Sequence, residues 1–482
     1  MKKKISLVVG TFNVLHAGHI RLLKYAKEIS DYLIVAVNSD KIDEDKSLVK
    51  QKLRLENLKS LDWVDESFIW DKSINELVKK YKPTYVVKGK EHQNKYNIEK
   101  EIVKKYKGKL IFGSDQFSFS SSDLINQELI RLEKDRIKLP LQYLKRHKIK
   151  INKLKLFGKE ISKLKVAILG DLIVDEYINC EALGMSREQA SIVAKPLESF
   201  KFVGGAGIVA SHASNLGAKA YLFSMTGNDK LKKFVTDNLK KNKVSFYNFS
   251  SNNRPTSLKK RYLNNNHSIF RLNILRQLEI DEQKQNTIFL KLKKIIKKLD
   301  LIIFSDFNYG FLPQRLVEKI IKLAKENKTY LVADSQSSSQ IGDVSRFKNV
   351  NLITPTEHEA RVSLKNYDDG LVIIAEKLRK ITNNEHLILT LGKDGIVIQT
   401  KNSKKNSKSN FETEKISSLI QQAKDAAGAG DALLVSVSLA LASKKFNIYE
   451  ASLIGSIASA IQISKLGNVP LNKREILNCL KD

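Results

Sequence analysis

The chain has 482 residues, 84 Lys+Arg against 52 Asp+Glu for a formal charge of +32, and two cysteines, Cys180 and Cys479. That length suggests two to four domains with full cores and excludes a small stapled scaffold, and two cysteines make neither a disulfide framework nor a thiolate zinc cluster. The opening MKKKISLVVG lacks a signal-peptide core and the longest apolar runs fall short of the ~18 residues of a bilayer span, so the expectation is a cytoplasmic protein with no membrane segment.

Residues 1–126 alternate β-rich runs (5–9, 32–37, 85–87) with helical patterns (19–29, 51–61, 74–81), a βαβ rhythm that predicts a parallel α/β sheet. Residues 127–163 hold 12 basic and 4 acidic side chains, a local +8, and Pro140 interrupts any single long helix, so this stretch reads as a basic helical linker. A fresh β-run at 165–169 opens a second, larger α/β domain over 164–482, with buried strands expected at 301–304, 330–333 and 386–391. Residues 401–410, KNSKKNSKSN, read as a polar surface loop. Elsewhere lysine is spread along the whole chain, a compositional bias rather than a nucleic-acid footprint.

The first chemical signal follows the first strand: Gly10, Thr11, Phe12, Asn13, Val14, Leu15, His16, Ala17, Gly18, His19, then an amphipathic helix. A helix N-terminus offers free N–H groups and a positive dipole end to an anion, glycines allow close approach, and two histidines three apart share a helical neighbourhood. Together they make a phosphate cradle. The stretch resembles the G-x-F-D-x-x-H-x-G-H signature of the cytidylyltransferase-like nucleotidyltransferases, and the likeness runs through most of residues 5–125, best matching the adenylyltransferase module of ADP-heptose synthesis. The resemblance implies a Rossmann-like domain in which a sugar phosphate oxygen attacks the α-phosphorus of a nucleoside triphosphate, with Mg²⁺ sharing the charge. His16 and His19 would donate to the phosphates and Arg54 and Lys88 would be cationic helpers. Gly10, Thr11, Phe12, Asn13, Gly18, Gly89, Ser120, Ser121 and Ser122 would hold the nucleotide. That nucleotide is ATP or, as in the related alditol phosphate enzymes, CTP. Asn13 replaces the commoner Asp, and Lys90 and Glu91 stand where the sugar subfamily shows Gly and Asp.

The second signal is Asp425, Ala426, Ala427, Gly428, Ala429, Gly430 and Asp431, ahead of a long apolar helical run. Glycines at a helix start can stabilise γ-phosphoryl oxygens, and a carboxylate there can take the proton of an attacking hydroxyl. The segment resembles the D-T-x-G-A-G-D signature of the ribokinase or PfkB sugar kinases, and the likeness covers roughly residues 164–475 through GDLIVDEY, GGAGIVASHASNLGA, SDFNYG, TPTEHE and TLGKDG. It implies a ribokinase-like fold with a small β-sheet lid and ATP-dependent phosphorylation of a sugar or sugar phosphate. Asp431 would be the base and Gly428, Ala429 and Gly430 the anion hole, with Ala427 among the nucleotide contacts. Thr356, Glu357, His358, Gly392 and Gly395 would lie on the nucleotide side, with Glu359 acting on Mg²⁺ through water. Asp171, Asp175, Gly204 and Gly205 would contact the sugar. Four positions depart from the heptose kinases: Ile208 for an Asn, Thr356 for the Asn of N-x-x-E, and Ser335 with Gln336 for Pro-Lys.

The remaining histidines show no metal-ligand spacing, and His212 is expected to be packed rather than catalytic. Combined, the two resemblances predict a bifunctional enzyme making a nucleotide-activated sugar, ADP-heptose-like, for cell-envelope polysaccharide, with the domain order of the heptose enzymes inverted. Its partners would be sugar phosphates and nucleoside triphosphates. Kinases of this fold often pair through the lid, which points to a homodimer contact within residues 259–272. A rival reading makes one domain silent and has the basic linker bind RNA or an acidic partner, but no aromatic-studded RNA motif is visible.

Overall fold

The computed structural model describes residues 3–15, 17–42, 47, 49–89, 92–93, 96–113, 137–264, 267–337, 342–401 and 411–480. The chain divides into two compact units, residues 1–134 and 135–482. Among the described residues no helix is long and apolar enough to cross a membrane.

The first unit is built on five parallel strands, β1 (Ile5–Gly10), β2 (Tyr32–Asn38), β3 (Glu66–Trp70), β4 (Tyr85–Lys88) and β5 (Lys109–Phe112), in the order β3-β2-β1-β4-β5. Successive side chains of a strand point to opposite faces, so the continuous apolar runs of β1 and β2 fill two cores at once. Val8, Val35 and Val37 pack with Leu23 and Leu58 on one face, and Leu7, Ile34 and Ala36 pack with Leu77 and Val78 on the other. The connecting helices are Ala17–Glu28, Gln51–Lys59, Ile74–Tyr81 and Glu99–Lys105. The third begins at Ser73, whose hydroxyl accepts from the Glu76 N–H. Strand order reverses beside β1, so the carboxyl ends of β1 and β4 open onto a crevice where α/β sheets bind ligands.

The second unit carries a nine-stranded sheet ordered β10-β9-β6-β13-β14-β15-β16-β17-β18. Its strands are β6 (Lys165–Gly170), β9 (Lys219–Ser224), β10 (Ser245–Asn248), β13 (Leu301–Asp306), β14 (Tyr330–Ser335), β15 (Leu352–Ile353), β16 (His386–Thr390), β17 (Ile396–Lys401) and β18 (Phe411–Ile416). All pairings are parallel except the last two. A separate four-stranded sheet, ordered β12-β11-β7-β8, forms the lid from β7 (Leu172–Met185), β8 (Ile192–Gly205), β11 (Ser257–Asn264) and β12 (His267–Ile274).

Behind the large sheet, helices Ala429–Ala442 and Ile448–Ile463 are apolar nearly all round and are buried accordingly. Residues 137–163 form three short helices, Leu141–Arg146, Ile151–Leu154 and Phe157–Ile161. Their Tyr143, Leu154, Phe157 and Ile161 are buried in the same core as Leu439 and Ile457, while Lys145, Lys148, Lys150 and Lys155 face solvent. The described part of the basic segment is thus a piece of the second unit's core with a charged exterior, and Pro140 stands where the first of these helices begins.

Candidate active site

In the second unit a cleft of ≈ 590 Å³ lies between the lid and the carboxyl ends of the large sheet's strands. Helix Ala429–Ala442 opens into it, with Gly428 as its N-cap and Asp431 in its first turn. Gly428 adopts φ +77°, and a Cβ there would stand 2.6 Å from Asn468 Oδ1, so only glycine fits the turn. A Cβ on Gly430 would meet nothing within 4 Å, leaving its backbone open to the cleft. Asp425 anchors the loop from below, since its carboxylate accepts the Ala427 and Gly467 N–H groups at 3.0 Å each and the Tyr177 hydroxyl at 2.9 Å.

Asp431 is buried and receives one side-chain hydrogen bond, from Gln336 Nε2 at 3.1 Å. Burial, and then the nearby Asp175, push its carboxyl up to about 7 against the pull of Lys259 and Gln336, with Glu359 adding to the rise. Asp334 at the end of β14 is raised well above the usual carboxylate range by burial and by Glu359 and Asp431. Glu359 closes a capping box on helix Glu357–Leu364, taking the Thr356 N–H at 2.8 Å, and its other oxygen accepts the Ser337 N–H at 2.8 Å.

The lid supplies the opposite wall. Asp175 accepts from Asn468 Nδ2 at 2.8 Å and faces Arg261 at 3.6 Å. A Cβ on Gly204 would lie 2.2 Å from Asp175 Oδ2, so this glycine makes room for the carboxylate. Strand register places Lys259 beside Asp175, Arg261 beside Tyr177 and Arg271 beside Arg261, all on one face of the lid. Lys259 Nζ sits 5.0 Å from the Phe307 ring centroid, and burial holds it below its ordinary value despite the opposing effect of Asp175.

The cleft brings together Asp175, Gly205, Thr356, Glu359, Gly392, Gly395, Ala427, Gly428, Ala429, Gly430 and Asp431 from the motifs. Others lie outside its lining. Asp171 is buried and accepts three backbone N–H groups, of Phe307 at 3.0 Å, Tyr309 at 3.2 Å and Phe311 at 3.3 Å, so it shapes the turn after β13. Glu357 pairs with Arg361, and His358 is exposed. Ile208 is buried in helix Ala206–Leu216, and His212 is fully buried, with Nδ1 accepting the Leu471 N–H at 3.0 Å. Lys259, Arg261 and Asn468 belong to no motif in the sequence; only the strand pairing and the chain reversal near residue 467 bring them to the cleft.

In the first unit, Gly10, Thr11, Phe12 and Asn13 turn the chain out of β1, with Phe12 at φ +55° and its ring edge-on to His19 at 5.0 Å. His19 Nδ1 lies 3.1 Å from Val14 O, and Gly18 sits in the first turn of helix Ala17–Glu28. Asn13 Oδ1 accepts the Val49 N–H at 3.2 Å. Arg54 is fully buried, donating to Thr11 O at 2.5 Å, Asn38 O at 2.9 Å, Val49 O at 2.7 Å and Asp40, so it ties the β1 turn to the end of β2. Lys88 contacts Asn97 at 2.9 Å and pairs with the buried Glu99, and Gly89 follows it, buried. His16, Lys90, Glu91, Ser120, Ser121 and Ser122 lie outside the described residues.

Two family models match the chain: pfkB family carbohydrate kinase over residues 163–473 and Cytidylyltransferase-like over residues 7–127. Among curated relatives, the bifunctional protein HldE of Aliarcobacter butzleri is 28% identical over 319 residues, 65% of this chain and 64% of that protein. HldE of Koribacter versatilis is 29% identical over 326 residues, 65% of this chain and 63% of that protein. The match therefore spans less than two thirds of these relatives. Among solved structures, ribokinase of Thermotoga maritima superposes with a TM-score of 0.52 at 20% identity, covering 66% of this chain and all of that one. Phosphofructokinase-2 of Escherichia coli gives 0.54 at 12% identity, covering 66% and 98%. The glycine turn, the buried carboxylate beside it and the sheet lid agree with these likenesses: behind a cytidylyltransferase-like unit, the chain belongs to the pfkB family of carbohydrate kinases.

Proposed function

We propose that the chain is a bifunctional transferase whose second unit phosphorylates a sugar phosphate with ATP and whose first unit joins a sugar 1-phosphate to a nucleotide, giving an ADP-heptose-like activated sugar. The observation that carries the reading is Asp431, a buried carboxylate in the first turn of a glycine-led helix, at the floor of a cleft roofed by a cationic lid. The substrate hydroxyl would give its proton to Asp431 as its oxygen bonds to the γ-phosphorus, and the bond to the β-phosphate oxygen would break, releasing ADP. Backbone N–H groups at the helix start would meet the transferred oxygens. Lys259 and Arg261 outnumber Asp175 on the lid wall of the cleft, which supports a substrate carrying its own phosphate.

Among the described residues no group of three His, Cys, Asp or Glu side chains is arranged to hold a metal ion. Glu359 lies in the cleft lining with each oxygen already accepting a backbone N–H, which fits contact with nucleotide-bound Mg²⁺ through water rather than direct ligation. That ion would supply charge neutralisation on the phosphates. In the first unit the Gly10–His19 turn would cradle the triphosphate, with Arg54 holding the turn and His19 facing the phosphates.

The face of the lid opposite Lys259 and Arg261 exposes Phe270, Leu272 and Ile274, which supports pairing of two copies through this sheet. Sedimentation should give a dimer that Phe270→Asp converts to monomer; a monomeric parent protein rejects the pairing. The activities are tested by ATP consumption across a panel of sugar phosphates including heptose 7-phosphate, and by pyrophosphate release from ATP or CTP with sugar 1-phosphates. Asp431→Ala and His16→Ala should each abolish only its own half-reaction. Pyrophosphate release without sugar phosphorylation would leave a nucleotidyltransferase alone, and preference for CTP would move the product to a cytidine diphosphate derivative.

A further inference from the structure

One side chain in the kinase cleft touches two of its carboxylates at once. Gln336 Nε2 lies 3.1 Å from Asp431 Oδ1 and 3.2 Å from Asp334 Oδ2, which uses one hydrogen of the NH₂ group for each. The amide orientation follows from the chemistry, since two carboxylate oxygens demand donors. The backbone around it is fixed from both sides: the Gln336 N–H donates to Asp306 O at 2.8 Å, and the following Ser337 N–H donates to Glu359. A residue so anchored sets the direction of the carboxylate it holds.

We propose that Gln336 is a positioning residue for phosphoryl transfer, holding Asp431 toward the reacting hydroxyl through one N–H while tying it to Asp334 through the other. The proposal rests on the kinase reading above and adds a device to it. A neutral donor orients a carboxylate without neutralising it. Asp431 faces Asp175 from the lid strand β7, Lys259 from β11, Glu359 from helix Glu357–Leu364 and Asp334 from β14. Carboxylates outnumber the one cation among these neighbours, so with glutamine at 336 the base loses its proton only near neutrality, and kinase activity rises through that range. The charge of residue 336 is then the setting of the pH profile.

The test compares Gln336→Lys, Gln336→Glu and Gln336→Met with the parent in the full-length protein. An ammonium should move the acid limb of kcat/KM down by about one pH unit and a carboxylate should move it up by a similar amount. Gln336→Met should lower kcat by about tenfold or more with KM for ATP unchanged, because only orientation is lost. The same shifts are read without turnover from the carboxyl ¹³C titration of labelled aspartate, with Asp431→Asn assigning the resonance. Limbs and titration midpoints that stay put in both charged variants overturn the proposal, and a variant that fails to fold leaves the other charge change to decide it. If the parent phosphorylates no sugar, the kinase reading fails by itself, while the Asp431 titration still decides whether Gln336 governs that group.

Discussion

Each unit buries a charged side chain beside the turn that leads into a glycine-bearing helix, and the two are treated in opposite ways. Arg54 has four protein acceptors, three of them backbone carbonyls, and no exposed surface. Asp431 has a single side-chain donor and is ringed by Asp175, Asp334 and Glu359. A buried charge whose hydrogen-bonding capacity is filled is held as structure, because moving it would strand its partners. A buried charge left short of partners at the floor of a cleft is held ready for chemistry. Conserving the charge type at either place would look alike in a sequence; only the partner count separates them.

The comparison breaks most readily at Asp431. Asp431→Asn should cut kcat for sugar phosphorylation by about a thousandfold, the scale of a lost general base, while pyrophosphate release by the first unit stays unchanged. Equal loss in both half-reactions would mean that Asp431 supports the fold instead. At Arg54 the effect should fall on stability: Arg54→Met removes a buried charge's hydrogen bonds to Thr11, Asn38 and Val49, at a cost of about 3 kcal/mol, read from denaturant unfolding of the first unit. If nucleotide binding fails with unfolding unchanged, Arg54 is a ligand contact and the contrast dissolves.

A smaller effect sharpens the same point with a group that is buried, partnered and neutral. Burial, with Lys465 adding to it, pushes the His212 imidazole down to about 3, so the folded chain excludes a proton that the unfolded chain takes up below about pH 6.5. Its contribution to stability is therefore complete above that pH and is lost as pH falls toward 3, with about 2 kcal/mol gone by pH 5. His212→Gln keeps an acceptor for the Leu471 N–H and should flatten that part of the curve; unfolding at pH 7 and pH 5 in parent and variant gives the answer.

Much of this was legible in the sequence. The turn at Gly10–His19 and the run Asp425–Asp431 announce themselves because a glycine-led helix start has a short local signature, and the β-rich runs give the two parallel sheets for the same reason. The lid cations could not be read this way. Lys259, Arg261 and Arg271 sit among a dozen similar residues in a lysine-rich stretch, and only the pairing of β11 with β7 and β12 selects the three that share a face with Asp175. Gln336 was visible as a departure from the family's Pro-Lys, but its contact with Asp431 spans 95 residues and no local pattern encodes it. Asp171 and Arg54 carry the opposite lesson: a charged residue inside a ligand-binding motif can be there for the backbone around the ligand.

The joint at Asp425 bears on how the cleft is assembled as the chain is made. Its carboxylate waits for the Gly467 N–H, Asp175 waits for Asn468, and His212 waits for Leu471. Those three partners leave the ribosome after every other part of the cleft. A growing chain can therefore fold its sheet and display its lid while the Gly428 loop stays unlatched, and the cleft is complete only when that last stretch, residues 467–471, docks.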